Sequence, residues 1–198
     1  VVAVAAGINL ILSPRSHFGV AMSGISSALG RSMVFDKRAD GYGRSEACST
    51  AAVNQDLPLA VMAVLPASGV RQDGRSASLT APNGSAQRLL IGNVHALLQH
   101  QVACVEIAAN GSPLGDPIEA RSIISAAQKE AAAYCILHNI KSNCGHGEPV
   151  SGATGLFKML CTLHHREATP NAQLRAVNPT VQAALGTGKH HNLLTSLS

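Results

Sequence analysis

The sequence predicts an α/β domain with buried sheets. Three observations carry that expectation. Apolar runs of strand length alternate with helix-length segments and Gly/Pro-rich loops, the order expected of strands joined by crossover helices. Hydrophobic residues make up 46% of the chain, ample material for a core. Aromatics are only 3% and Trp is absent, so that core must be closely packed Ala, Val, Leu and Ile. At 198 residues the chain suits one large domain or two small ones.

Each element has a local reason. Val1–Leu12 is an apolar run without a basic start, and it contains Gly7 and Asn9. It reads as a buried strand rather than a leader peptide, ended by Ser13–Pro14. His17–Leu29 has helical character that Gly19 and Gly24 weaken. Phe35–Ala47 is a polar, Gly-rich loop, and Leu57–Leu65 is a second buried strand candidate. Gln72–Gln87 is a long turn-rich loop. Ser85 is placed to cap a helix that runs to Gln99. Val102–Ala109 reads as a strand, and Pro117 opens a helix, since Pro favours the first helical turn. Tyr134–Ile140 is a strand and Lys141–Pro149 a loop. Val150–His165 is a helix with Leu156, Met159, Leu160 and Leu163 on one face. After Pro170 the chain reads as extended, and residues 180–198 as an irregular tail whose "GTGKHH" looks flexible. The echo of "VNQD" (Val53–Asp56) in "VRQD" (Val70–Asp73) is too short to define a repeat.

Composition narrows the function classes. Charged residues are 13% of the chain, about half the usual ~25%. So little surface charge predicts a surface largely covered by something else. The net charge of +4 is spread thinly and does not cluster with aromatics, which argues against nucleic-acid binding. The five cysteines, Cys48, Cys104, Cys135, Cys144 and Cys161, are odd in number and have no CxxC spacing. They read as free thiols of a reducing, intracellular compartment. No apolar run of about 18 residues marks a transmembrane helix. No cofactor motif is legible, and Gly41, Tyr42 and Gly43 have no phosphate-binding spacing. The chain lacks an initiator Met, which suggests a processed product, a fragment or an incomplete tracing.

Four segments occur in a telling order: "FDKRADGYGRSEA", "QDGRSASLTAPNGSAQ", "NGSPLGDPIEA" and "IKSNCGHGEPVSGATGLFKML", with "AGINLILSP" ahead of them. Together they resemble the β-ketoacyl synthase domain of type I polyketide and fatty acid synthases, over roughly Val1 to Pro179. The resemblance implies the thiolase-like fold, two related α/β halves in a layered α-β-α-β-α sandwich. This chain would hold the end of the first half and most of the second, so residues 1–179 form a partial ketoacyl-synthase-like domain. It also implies a chemistry, in which an acyl group on a Cys is joined to a carbanion made by decarboxylating a malonyl thioester on an acyl carrier protein.

In that family the thiolate carries the acyl group. Two His side chains bind the malonyl carbonyl and stabilise the enolate. The second His loop is present here: Lys141, Ser142, Asn143, Gly145, His146 and Glu148 all match, so the resemblance makes His146 and Lys141 family site positions. The first His loop is altered. Val105 and Glu106 match, but Ile107, Ala108, Ala109 and Asn110 stand where the family has x-His-Gly-Thr, so Ala108 occupies the first catalytic His position. Gly111 matches and Ser112 replaces Thr. The nucleophilic Cys is expected upstream of Val1, and the family's closing Gly-Phe-Gly-Gly-Thr-Asn loop has no counterpart after Pro179.

Other readings of single residues are weaker. Asp116 and Glu119 could form an acid/base pair, but Asp116 fits better as an acidic residue at a helix N-terminus. Lys141 reads as structural, paired with a carboxylate. Cys144 could replace the nucleophile but reads better as a small buried apolar residue. Cys161, His164 and His165 make a poor metal set, because adjacent helical His side chains diverge by about 100°. The expectation is a degenerate, non-catalytic ketosynthase-like module in a larger assembly, completed by another chain or segment, with a homodimer as one candidate arrangement. Two alternatives stay open: part of an active condensing enzyme whose Cys half is supplied elsewhere, and a module that binds acyl carrier protein or an acyl chain.

Overall fold

The computed structural model describes residues 2–54, 61–78, 81–98, 101–127, 135–186 and 191–193. These residues form two sheets. Strand β1 (Val2–Asn9) pairs antiparallel with β2 (Ala47–Asn54), in a register running from Val2 opposite Asn54 to Asn9 opposite Ala47. Strands β3 (Cys104–Glu106), β4 (Cys135–His138) and β5 (His191–Asn192) form a parallel sheet in that order. Helix α1 (Pro14–Met22) follows β1. Helices α2 (Gly84–His95) and α3 (Gly115–Ala127) precede and follow β3 and pack on each other. The short α4 (Lys141–Cys144), a 3-10 turn at Glu148–Val150 and α5 (Ser151–His165) follow β4. Helix α6 (Pro179–Leu185) packs against α3.

The core lies around the parallel sheet. Leu137 and Cys135 of β4 meet Ala120, Ile123 and Ile124 of α3, Val181 and Leu185 of α6, and Val34, Phe35 and Leu174 from loops. A buried carboxylate ties those loops in. Asp36 accepts the backbone N–H groups of Arg38, Arg175 and Ala176, and its Oδ1 lies 2.7 Å from Arg38 Nε.

Several expected elements differ from the observed ones. The first strand is not buried: Val4 is 67% exposed, because the two-stranded ribbon packs one face on the 3-10 turn and leaves the other open. Residues 61–65 are not a strand and have no strand partner among the described residues, and the rest of Leu57–Leu65 lies outside them. The helix expected at His17–Leu29 starts earlier, with Pro14 in its first turn, and ends at Met22, where the chain turns through Gly24 at φ 71°. The strand expected at Val102–Ala109 is only three residues long.

The cap of α2 is Asn83, not Ser85, since the Asn83 side chain accepts the N–H groups of Ser85 and Ala86 at 3.1 Å each. The loop after β4 is largely helical. In α5 the predicted apolar face is partly wrong: Leu156 and Leu163 are exposed, and the buried positions are Gly155 and Lys158. Residues 179–185, expected to be extended or irregular, form a helix capped by Asn178, which buries Val181 and Leu185. Most of "GTGKHH" lies outside the described residues.

Candidate functional site

The turn after β3 is held rigidly by side chains beneath it. Asp116, the second residue of α3, is buried and accepts the backbone N–H groups of Asn110, Gly111, Ser112 and, from a distant loop, Phe35, at 3.1–3.2 Å. Asn139, just past β4, donates to the carbonyls of Ile107 (2.7 Å) and Ala109 (2.6 Å). Asn171 in turn accepts from Asn139 N at 2.8 Å and donates to Leu137 O. Gly111 sits at φ 86°, where a Cβ would stand 2.7 Å from Gly41 O, so only glycine fits this close backbone crossing. The turn is thus a built platform, and Ala108 stands exposed on it with no group that can donate or titrate.

Lys141, the first residue of α4, is 6% exposed, and its Nζ donates to the Ala108 carbonyl. Its bonding partner is therefore this carbonyl, whereas a carboxylate was expected. Burial pulls the Lys141 ammonium below the usual lysine range, opposed by the charges of Glu119, Glu106 and Asp116. The Asp116 carboxyl is pushed up by burial against the N–H groups that favour its charge. Glu119 is pushed up to about 7 by burial and by Asp116.

His146 comes from the next turn. Its backbone bridges Gly43 and Ser45, with His146 N donating to Gly43 O at 2.7 Å and its carbonyl accepting from Ser45 N at 3.1 Å. Its Nδ1 accepts the Glu148 N–H at 2.8 Å, so the proton of the neutral ring sits on Nε2. Burial, then the Lys141 charge, pulls the imidazole down to about 4. The Tyr42 ring lies 4.8 Å away, and Arg44 pairs with Glu148 at 2.8 Å. His146 is therefore a neutral Nε2–H donor at pH 7, and its Nδ1 is not free to take up a proton.

A cavity of about 460 Å³ opens beside Ala108 and Lys141, bounded by β3 and by Ser151, Gly152, Gly155 and Leu156 of α5. Its lining carries the Cys104 thiol, the Lys141 amine, the Glu106 carboxylate and the Ser151 hydroxyl; burial raises the Cys104 thiol, Glu106 is paired with Lys158, and the Ser151 hydroxyl donates to the Glu148 carbonyl at 2.8 Å. Cys144 is surface-exposed and its thiol donates to the Ile140 carbonyl at 3.4 Å; partial desolvation by its neighbours raises the thiol, so its environment does not produce a thiolate. His164 and His165 touch edge to face at 4.9 Å at the exposed end of α5.

Sequence reasoning missed two features. Glu106 accepts Ile140 N at 2.5 Å and pairs with Lys158 of α5 at 3.2 Å. No spacing rule joins residues so far apart. His138, beside Glu106 in the sheet, is fully buried with neither ring nitrogen hydrogen-bonded among the described residues, and burial followed by the Lys158 charge pulls it down to about 4.

Residues 62–175 match the β-ketoacyl synthase C-terminal domain, and residues 1–57 match the N-terminal domain of the same enzyme. The chain belongs to the β-ketoacyl synthase family. This ketosynthase-like chain is 37% identical over 189 residues to 6-hydroxymellein synthase of Talaromyces verruculosus, a match covering 90% of the chain and 7% of that protein. It is 34% identical to a non-reducing polyketide synthase of Preussia isomera, covering 91% and 9%.

Among solved structures, an oxazolomycin ketosynthase domain of Streptomyces albus JA3453 superposes with a TM-score of 0.87 at 26% identity, over 98% of this chain and 35% of that one. The module 6 ketosynthase of the bacillaene synthase from Bacillus subtilis 168 shares the fold, with a TM-score of 0.85 over 91% of this chain and 34% of that one, at 24% identity. The thiolase-like architecture is therefore present in part, as the motifs implied. The chain spans 7–10% of the length of the curated polyketide synthases it matches.

Proposed function

We propose that this ketosynthase-like domain is non-catalytic by itself and serves as a structural or interaction module of a polyketide-synthase-type assembly. One observation carries the reading. The platform that would present the first catalytic His is intact, yet the residue on it is Ala108, and its carbonyl is taken up by Lys141. Losing one preorganised oxyanion donor typically costs ~100- to 1,000-fold in rate. The neutral Nε2–H of His146 supplies one donor where the family chemistry uses two.

The test is decarboxylation of a malonyl thioester by this chain fused to a Cys-bearing N-terminal ketosynthase half. The wild-type fusion should turn over at background, and Ala108→His should raise the rate by roughly 100-fold if the rest of the site is intact. Condensation by the unmodified fusion at a rate close to that of an ordinary ketosynthase would overturn the reading.

A second reading has a specific observation in its favour. The exposed face of the β1–β2 ribbon and the unburied α1, where Met22 is 89% exposed, are apolar surfaces of the kind that a neighbouring protein layer covers. They support completion by a partner, whether a Cys-bearing half or a second copy. Co-purification with a separately expressed N-terminal ketosynthase half, lost on Val4→Lys with Ile8→Lys, distinguishes this completion from simple aggregation.

A further inference from the structure

The parallel sheet has a second hollow, against α2 and α3. Its floor is Val105 of β3, Cys135 of β4 and Ile123 of α3. Leu90, Ile91 and Val94 of α2 and Leu98 just beyond it form one wall, Val102 closes it before β3, and Ser68, Gly69 and His95 stand at the rim. Ile123 and Cys135 are buried, whereas Ser68 is exposed, so the hollow runs from solvent down to the core. Its volume is about 450 Å³.

Protein interiors are packed as densely as organic crystals and rarely leave voids larger than a water. An empty apolar void forfeits the dispersion contacts of every group that lines it, and water is poorly held where the walls offer few polar partners. Small-molecule sites have this size and character: concave, mostly apolar, with a few polar groups to set orientation. At about 30 Å³ per water-sized group, the hollow has room for on the order of fifteen methylenes. The polar atoms sit at the rim, at the Ser68 hydroxyl and the His95 ring, while the floor is aliphatic apart from the Cys135 thiol, which burial pushes up to about 11 and so keeps uncharged.

We propose that this hollow binds a single unbranched aliphatic chain of medium length, with an oxygen-bearing head group at Ser68 and His95. It is distinct from the Ala108–Lys141 cavity, with which it shares Val105: Glu106 turns to Lys158 of α5, whereas Cys135 turns to α2 and α3. Gly69 marks the entrance, since a Cβ there would come within 2.8 Å of Val94 Cγ2 and 2.9 Å of Leu90 Cδ1.

The experiment titrates the full chain with dodecanoate by calorimetry, with the circular dichroism spectrum of each variant checked first. Saturable binding of one dodecanoate per chain is expected. Val94→Trp, which fills the hollow, should weaken it at least roughly tenfold, because overpacking a filled site is unfavourable. Gly69→Val, which narrows the entrance, should act in the same direction, and it serves if Val94→Trp does not fold. Leu156→Trp, which fills the Ala108–Lys141 cavity, should leave binding unchanged. No binding by the folded wild-type chain, or binding lost in Leu156→Trp and kept in Val94→Trp and Gly69→Val, overturns the proposal.

Discussion

Asp116 and His146 show how differently two side chains of the family's loops are used. Asp116 works entirely through backbone donors, holding the 110–112 turn and the distant Phe35 N–H to one carboxylate. Hydrogen bonds to a charged group contribute about 1.5–3 kcal/mol each, and orphaned buried donors add a penalty. Asp116→Ala is therefore predicted to cost about 3 kcal/mol or more in urea denaturation, with no compensating change in chemistry.

The buried His138 and the half-buried His146 set the acid limb of stability. His138 and His146 both stand at about 4 in the fold against an ordinary 6.5. Folding therefore favours their neutral forms, so their contribution is complete above pH 6.5 and is lost as the pH falls towards 4. For the fully buried His138 the drop corresponds to ~3 kcal/mol. Asp36 adds to the loss further down. Burial opposes its charge, but the Arg38 side chain and the Arg175, Arg38 and Ala176 N–H groups more than offset that, so its stabilisation is present above the ordinary carboxylate range and disappears in strong acid. Glu119, raised to about 7, has the opposite sign and disfavours the fold as the pH rises from 4.5 through 7. His138→Leu should flatten the stability curve between pH 6.5 and 4, read from urea midpoints at several pH values. An unchanged slope would mean that His138 is not neutral in the fold.

At the scale of single elements, helix ends and buried pairs matter more than apolar faces. Asn83 caps α2 and also donates to the Asp73 and Arg75 carbonyls, stitching the long loop to the helix. Asn83→Ala is predicted to cost about 1–2 kcal/mol and Ser85→Ala close to nothing, measurable by thermal melts side by side. Helix α5 is anchored by a charge: Lys158 is buried against Glu106, whose other oxygen holds Ile140 N. Removing one partner of a buried pair strands the other, so Lys158→Ala should destabilise by about 3–5 kcal/mol. The leucine stripe of α5 was legible as a pattern, but a pattern cannot say which face meets the sheet. Gly155 faces it because the Glu106 side chain passes there, where a Cβ would stand 3.1 Å from Glu106 Cγ.

On the scale of the whole molecule, the described residues place a packed parallel-sheet core beside an open antiparallel ribbon. Val2, Val4 and Ile8 lie exposed along one face of that ribbon, and Phe18 and Met22 along α1. Exposed apolar surface of this extent drives association. The purified chain is predicted to self-associate in a concentration-dependent way, seen by sedimentation velocity, and Val4→Lys with Ile8→Lys should shift it towards monomer. A sharp monomer boundary for the unmodified chain at tens of micromolar would count against any partner-covered face.

The sequence by itself determined the family and the α/β class, because the "PLGDPIEA" and "KSNCGHGEP" segments carry their turn chemistry locally. It also determined that Ala108 offers no donor, since that follows from residue identity alone. Only the tertiary structure decided that the Ala108 carbonyl is held by Lys141, that His146 is a neutral donor on Nε2, that the first strand is open to solvent, and that residues 179–185 are a buried helix. These depend on which distant groups meet. Glu106 with Lys158, Asp116 with Phe35 N and Asp36 with Arg175 N each join segments far apart in the chain, and local pattern carries no information about such partners.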